Sequence, residues 1–178
     1  MHGYTLVINL LEPVNQGLNS NSKSLQKEVF FISMNIKSPK SQDEWTKYFE
    51  LRWQVLRAPW DQPIGSEKDN IEFLNSTYHA MALNENNDVL GVARIHLLDN
   101  NWAQIRYMAV SENSQGLGIG NSLIAYLENI AQLHKVNKII LQARENAVPF
   151  YQKNEYTLKE KTFLMYNQIQ HYLMEKEI

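Results

Sequence analysis

Apolar and polar residues follow two repeats along the chain, one typical of strands and one typical of helices. Runs rich in aromatic and β-branched residues predict seven strands. The predicted strands span residues 29–36, 78–83, 89–98, 102–110, 138–144, 157–165 and 169–175. Apolar residues three and four positions apart predict a helix ending near Leu56, a second after Gly120 and a shorter one at 145–154. Ser41, three residues before Glu44, forms a capping box that begins the first helix.

Short polar turns join the three middle strands, which predicts an antiparallel meander. Pairing its second hairpin symmetrically about Asn100 places Arg94 opposite Arg106. The same register places His96 opposite Gln104 on that face. The strand after the second helix is expected to run parallel to the strand before it, through a right-handed crossover.

A glycine-rich loop joins the strand 102–110 to the second helix. It reads Gln115-Gly116-Leu117-Gly118-Ile119-Gly120. Bare backbone N–H groups and the positive end of a helix dipole make such a loop an anion cradle, best suited to phosphate. A Walker A loop is excluded because Asn121-Ser122 replaces its Lys-Ser/Thr. A dinucleotide fingerprint is excluded by the glycine spacing and by the lack of an acid in residues 133–141.

The surroundings of this loop resemble those in the GCN5-related N-acetyltransferase (GNAT) family. The triplet Met108-Ala109-Val110 precedes the loop, and Asn146 and the pair Phe150-Tyr151 follow the next strand. The resemblance covers roughly residues 34–176. It implies an α/β (α+β) fold with a mixed, mostly antiparallel sheet of six to seven strands. Helices would cover both faces, and two parallel strands would splay apart to admit the pantetheine arm of acetyl-coenzyme A.

The resemblance also assigns roles to individual residues. The expected cofactor-binding residues are Met108, Ala109, Val110, Gln115, Gly116, Leu117, Gly118, Ile119, Gly120, Asn121, Asn146 and Tyr151. Backbone N–H groups of Met108 and Val110 would polarise the thioester carbonyl, and Tyr151 would protonate the leaving thiolate. The alternative for Tyr151 is a packing role on its helix. For the general base, His96 is the best side-chain candidate by its ordinary pKa, with a water chain to solvent as the favoured alternative.

Three arginines lie among apolar neighbours or opposite one another and therefore need anionic partners. They are Arg52, Arg94 and Arg106. One interpretation is an acceptor site for an acidic substrate. The other is a set of internal ion pairs. For Arg52 the expected partner is Asp61, Glu67 or Asp69 of the next loop, and for the two opposed arginines it is a carboxylate such as Glu67 or Glu72.

Two features modify the resemblance. Residues 51–57, with Glu67 and Asp69, resemble the front half of acyl-homoserine-lactone synthases, but those enzymes lack the glycine-rich loop. The loop therefore favours a coenzyme A donor.

Glu155 stands where the family commonly has glycine, so Asn154 is expected to take the left-handed turn there.

Composition excludes several classes of function. The 178 residues carry a net charge of −2, which gives no reason to expect nucleic acid or an anionic membrane as partner. No cysteine is present, so a cysteine acyl intermediate is excluded and direct transfer from the thioester is expected.

No metal site and no secretion signal are predicted, and a cytoplasmic location is expected. Residues 1–28 are expected to be an N-terminal extension and 29–178 a single domain; a homodimer is compatible with the chain.

The sequence therefore predicts an N-acetyltransferase that moves acetyl from acetyl-coenzyme A to an amine of a small molecule or a protein. Within the enzyme class, the alternative is a longer-chain acyl donor. From another class, the alternative is a non-catalytic acyl-coenzyme A sensor on the same fold.

Overall fold

The computed structural model describes residues 4–7 and 33–178, which form one mixed sheet and three α-helices. The strands are β1 Tyr4–Val7, β2 Ser33–Lys37, β3 Thr77–Leu83, β4 Val89–Leu97, β5 Trp102–Val110, β6 Lys138–Arg144, β7 Thr157–Met165 and β8 Ile169–Glu177. The helices are α1 Gln42–Leu56, α2 Ile119–Leu133 and α3 Val148–Lys153. The predicted capping box is confirmed, since the Ser41 hydroxyl accepts from the Glu44 N–H and the Glu44 carboxylate accepts from the Ser41 N–H.

The strand order is β1-β2-β3-β4-β5-β6-β8-β7, and every pair is antiparallel except β5 with β6. The predicted hairpin register is confirmed, with Arg94 opposite Arg106 and His96 opposite Gln104. The predicted parallel pair is also confirmed, joined by the α2 crossover. Because Tyr4–Val7 adds an edge strand to β2, the sheet has eight strands rather than six to seven.

The helices cover both faces of the sheet, as predicted. Side chains alternate between faces along a strand, so Met81 and Val92 face α1 whereas Ala80 and Ala93 face α2. On the α1 side, one buried cluster contains Tyr48, Phe49, Leu51, Leu56, Met81, Leu83 and Val92. On the α2 side, the larger cluster includes Leu123, Ile124, Leu127, Ala80, Ala93, Ile95, Ile139 and Leu141.

The turn after α3 differs from the prediction. Its left-handed residue is Glu155, at φ 68°, and not Asn154, whose φ is −95°. The Asn154 amide instead donates to the Phe150 carbonyl and to the Asn121 side chain, which fixes it in the last helical turn.

The N-terminal predictions fall largely on residues without a described structure. Most of the predicted extension, and residues 29–32 of the first predicted strand, lie outside the described residues. Within the described part of the chain, no helix is long and apolar enough to cross a bilayer.

Candidate active site

A cavity opens where the two parallel strands separate. β5 and β6 pair from Trp102 with Lys138 to Ile105 with Leu141, and beyond that point both strands continue unpaired with each other. The cavity is about 540 Å³, within the range of small-molecule sites. Its lining residues are Val55, Leu56, Met108, Ala109, Val110, Ser114, Gln115, Gly116, Gly118, Ile119, Gly120, Asn121, Arg144, Asn146, Ala147, Phe150, Tyr151 and Lys153.

The glycine-rich loop presents a row of free backbone donors to this cavity. Gly116 and Gly118 have φ of 77° and 79°, a conformation that side-chain-bearing residues rarely adopt. Gly118 is the N-cap of α2, so the first turn of that helix leaves its N–H groups without helical partners. Within the described chain, the N–H groups of residues 116–121 donate to no acceptor. Together with the helix dipole, they form a site for an oxyanion such as pyrophosphate.

One side of the glycine-rich loop packs closely against α3. A Cβ added at Gly120 would lie 2.9 Å from the Phe150 ring, so α2 and α3 approach closely only because position 120 has no side chain. On the other side, the exposed Lys153 lines the cavity and makes no ion pair within the described chain. Its ammonium can therefore serve an anionic ligand.

Tyr151 lies in the wall between the loop and the strand gap. Its side chain is buried, and among the described residues its hydroxyl donates only to the Met108 sulfur, at 3.8 Å. Burial raises the pKa of Tyr151 to about 12, and the opposing effect of the Arg144 charge is smaller. The phenol is therefore protonated at neutral pH and able to donate a proton.

A β-bulge lies beside Met108. Val92 pairs with Ala109 and Arg94 with Arg106, so β5 has one residue more than β4 between these pairs. Such an insertion bends a strand and redirects its side chains. Tyr107 lies at this bulge and has a φ of 55°, a left-handed backbone conformation that is strained for a residue with a side chain.

The predicted acceptor role of the first buried arginine is wrong. Arg52 is fully buried and forms a bidentate pair with Glu72, a buried carboxylate. Its guanidinium carbon also lies 3.5 Å from the centre of the Tyr107 ring. Since the cation is enclosed and already paired, it is not available to a substrate.

Arg94 and Arg106 share an internal carboxylate, which also corrects the prediction of an acceptor site between them. Arg94 is fully buried and binds both oxygens of Asp69, at 2.7 and 2.9 Å, and one oxygen of Glu72 at 2.8 Å. Arg106 reaches Asp69 Oδ2 at 3.3 Å, and its side chain is half-exposed. Burial tends to raise the pKa of Asp69, but the hydrogen bonds and charge of Arg94 outweigh it and hold that pKa well below its usual range.

His96 does not fit the predicted role of general base. It lines neither the cavity between the separating strands nor a smaller cavity beside it. Burial lowers the pKa of His96 to about 4, helped by the charges of Arg94 and Arg106. At neutral pH it is a buried, uncharged side chain and a weak base.

The smaller cavity, of about 110 Å³, adjoins the first. Its lining residues are Leu56, Arg57, Arg106, Tyr107, Met108, Arg144, Met165 and His171. Leu56, Met108 and Arg144 line both cavities. The smaller cavity therefore opens beside the residue that the family pattern places at the thioester.

His171 is a functional candidate that sequence reasoning missed. Its Nδ1 lies 2.9 Å from the Ile169 carbonyl, which can only accept, so Nδ1 carries the proton and the neutral ring keeps a lone pair on Nε2. Burial lowers the pKa of His171, and the charges of Arg144 and Arg57 act in the same direction. No sequence signal marks this residue, because it comes from β8 and meets the other lining residues only through the sheet.

The structure brings together nearly all the residues predicted to bind the cofactor. Of that set, only Leu117 does not line the cavity; it packs against the apolar core. The lining adds Lys153 and Arg144, two cations that the prediction omitted. Lys153 could have been proposed from the sequence, because it follows Phe150 by three residues and so shares its side of a short helix.

Comparisons with known proteins agree with this geometry. The model of the acetyltransferase (GNAT) family matches residues 45–156. The uncharacterized N-acetyltransferase YjcF of Bacillus subtilis (strain 168) is 28% identical over 126 residues, which are 70% of this chain and 87% of that protein.

Solved structures show the same fold. A GNAT-family acetyltransferase from Staphylococcus aureus Mu50 superposes with a TM-score of 0.68 at 20% identity, over 82% of this chain and 99% of that one. An aminoglycoside 6'-N-acetyltransferase complexed with coenzyme A gives a TM-score of 0.67 at 15% identity, over 80% and 96% of the two chains.

Proposed function

The chain belongs to the acetyltransferase (GNAT) family, and from this membership we propose that it transfers acetyl from acetyl-coenzyme A directly to the amine of a small molecule or peptide. The observation that carries the proposal is the row of unpaired N–H groups at residues 116–121, which opens into the 540 Å³ cavity at the strand gap. Pyrophosphate would bind these donors and Lys153, and the pantetheine arm would extend between β5 and β6 toward Met108.

The chain's own residues account for each chemical requirement of the transfer. When bound, acetyl-coenzyme A supplies an activated acyl carbon and a thiolate leaving group. Backbone N–H groups at Met108 and Val110 would stabilise the negative charge that develops on the carbonyl oxygen as the amine attacks. The C–N bond forms, the C–S bond breaks, and the Tyr151 phenol gives its proton to the departing sulfur.

The attacking amine must also lose a proton. We assign this proton to Nε2 of His171, which lines the smaller cavity and takes the place predicted for His96. The proton on Nδ1 stays with the Ile169 carbonyl, so Nε2 carries the lone pair that would accept the proton of the amine.

Calorimetry with coenzyme A tests the donor site. Gly118→Val places a branched side chain at φ 79°, beside the donors that would face phosphate, and we expect it to weaken binding by at least about tenfold. Gly65→Val is the matched control, since Gly65 also has positive φ, a Cβ added there would meet no atom within 4 Å, and it lies outside both cavities. Equal affinity in all three proteins would contradict the donor site.

Activity assays separate the alternatives. Release of coenzyme A in the presence of an amine panel distinguishes an enzyme from a non-catalytic sensor, which would bind the thioester without consuming it. Competition between acetyl and longer acyl thioesters distinguishes an acetyltransferase from the longer-chain alternative. We expect amine-dependent release, with acetyl-coenzyme A preferred.

A further inference from the structure

Two arginines of the smaller cavity converge on one backbone oxygen. Arg57 Nη1 donates to the Leu56 carbonyl at 2.9 Å, and Arg144 Nη2 donates to the same oxygen at 3.2 Å. Other neutral groups also contact the pair. Arg57 Nε donates to the Ser66 carbonyl, and the Arg57 guanidinium lies 5.6 Å from the centre of the Tyr107 ring. The Arg144 guanidinium lies 4.3 Å from the centre of the Trp60 ring. Two like charges are therefore held side by side by neutral groups.

No carboxylate of the described chain neutralises this pair. Over residues 4–7 and 33–178, no carboxylate oxygen lies within 4.0 Å of a nitrogen of Arg57 or Arg144. Arg52, Arg94 and Arg106, by contrast, each have a carboxylate oxygen within that distance. Arg57 is buried, with 8% of its surface exposed. Burial lowers the pKa of Arg144, and the charge of Arg57 lowers it further. A buried cation without a counterion costs stability, so a bound anion would stabilise this arrangement.

The cavity beside the pair has no acidic residue in its described lining. Its charged lining consists of Arg57, Arg106 and Arg144, and the single carboxylate contacted by any of them is Asp69, which Arg94 already binds with both oxygens. Guanidinium groups bind carboxylate and phosphate oxygens with short, charge-assisted hydrogen bonds. At about 110 Å³, the space suits one small oxyanionic group.

The position of the cavity connects this charge to the transfer reaction. Met108 lines both cavities, and so does Arg144. An oxyanion held by the two arginines would place an attached amine next to Met108, where the acyl carbon is proposed to lie, and next to His171. Binding energy from the anion would thus orient the amine for attack.

We propose that the amine acceptor carries an oxyanionic group, a carboxylate or a phosphate, and that Arg57 and Arg144 bind it in the smaller cavity. This rests on the proposed function, because it names the class of acceptor for the same site. The acceptor is a small amino acid or amino phosphate, or a peptide that presents such a group close to its amine.

Two matched pairs of amines test the proposal and separate carboxylate from phosphate. β-Alanine is compared with 1-propylamine, and O-phosphoethanolamine with ethanolamine, by kcat/KM for coenzyme A release. At least one anionic amine should exceed its neutral counterpart by about 100-fold, the product of charge-assisted bonds to two arginines. The pair with the larger ratio of anionic to neutral kcat/KM shows whether the cavity binds a carboxylate or a phosphate.

Variants show whether the arginine pair causes this preference. Arg144→Gln should reduce it at least tenfold through a higher KM for the anionic amine, and Arg144→Lys should restore part of it. Lys47→Gln, which removes a positive charge from the exposed surface of α1 outside both cavities, should leave it unchanged. Calorimetry of the same amines with the protein saturated with coenzyme A measures binding when turnover is absent.

Each outcome decides the proposal. Neutral amines used as well as anionic ones would overturn it while leaving the acetyltransferase function intact. Anion-dependent binding without coenzyme A release would support the cavity assignment and refute the proposed function. No turnover and no anion-dependent binding would overturn the proposal, as would a preference that Arg144→Gln leaves unchanged.

Discussion

Replacing Tyr151 with phenylalanine tests the mechanism at the atom on which it depends. The substitution removes one hydroxyl and retains the ring, which packs against Phe150 and Tyr156 with centroids 5.0 and 5.9 Å away. Within the described chain, the hydroxyl donates only to the Met108 sulfur, at 3.8 Å. Sulfur is a weak acceptor, so the loss should change the free energy of unfolding by less than about 1 kcal/mol.

The effect on turnover should be much larger than the effect on folding. Negative charge collects on sulfur only as the C–S bond breaks, so the phenol acts mainly in the transition state. General acids contribute about 10²–10⁴-fold to rate, and the thiolate is a tolerable leaving group without help. We expect Tyr151→Phe to lower kcat by about 100-fold or more while the Kd for acetyl-coenzyme A changes by less than about threefold.

The assay combines stopped-time coenzyme A release, calorimetry with acetyl-coenzyme A and thermal unfolding. Because the pKa of Tyr151 is raised to about 12, its ionisation should leave no mark on the rate profile across the neutral range. Turnover within about twofold of the parent, far below the range for a general acid, would show that Tyr151 only packs. A parallel loss of stability and affinity would show that the variant perturbs structure instead.

The contacts of four other side chains lead to further expectations. Asp69→Asn leaves the buried Arg94 with a single acid partner, and urea unfolding should show a loss of about 3 kcal/mol; an unchanged midpoint would contradict the pairing. Folding lowers the pKa of His96 from 6.5 to about 4, so the unfolded chain takes up a proton first as pH falls. His96 should therefore cost up to about 3 kcal/mol of stability between about pH 7 and pH 4, and His96→Gln should flatten that slope. Lys153→Ala should raise the Kd for coenzyme A by about fivefold at low salt and less at high salt; a salt-independent change would argue against a charge contact. His171→Asn should lower kcat by about 100-fold with little change in acetyl-coenzyme A affinity, and full activity would assign the proton to water.

Local patterns could group the residues of the proposed donor site because most of them are close in sequence. The loop Gln115 to Gly120 and the helix after it form one strand-loop-helix unit, and their conformation depends on glycine placement and helix capping. The register that pairs Arg94 with Arg106 was likewise set by a short turn at Asn100, where both Asn100 and Asn101 take positive φ. These features need no knowledge of the rest of the fold.

The proposed acceptor side was not predictable in the same way, because its residues come from distant elements. Arg57 ends α1, Arg144 ends β6 and His171 opens β8, so only the sheet order brings them together. The sequence showed that several arginines needed anions but not which ones had them. Asp69 and Glu72 lie in one loop and neutralise the arginines of α1 and of the meander, which leaves Arg57 and Arg144 without a carboxylate among the described residues.

The buried ion pairs of Arg52 and Arg94 support the site although neither arginine lines either cavity. Tyr107 takes its strained conformation at the bulge while its ring lies under Arg52 and its hydroxyl donates to Asp69 at 3.2 Å. The next residue is Met108, which lines both cavities. A strained residue persists only where its surroundings hold it, so the pairs around Tyr107 fix where β5 turns away from β6. Arg52 and Arg94, which the sequence offered as acceptor ligands, thus hold the backbone next to the proposed meeting point of donor and acceptor.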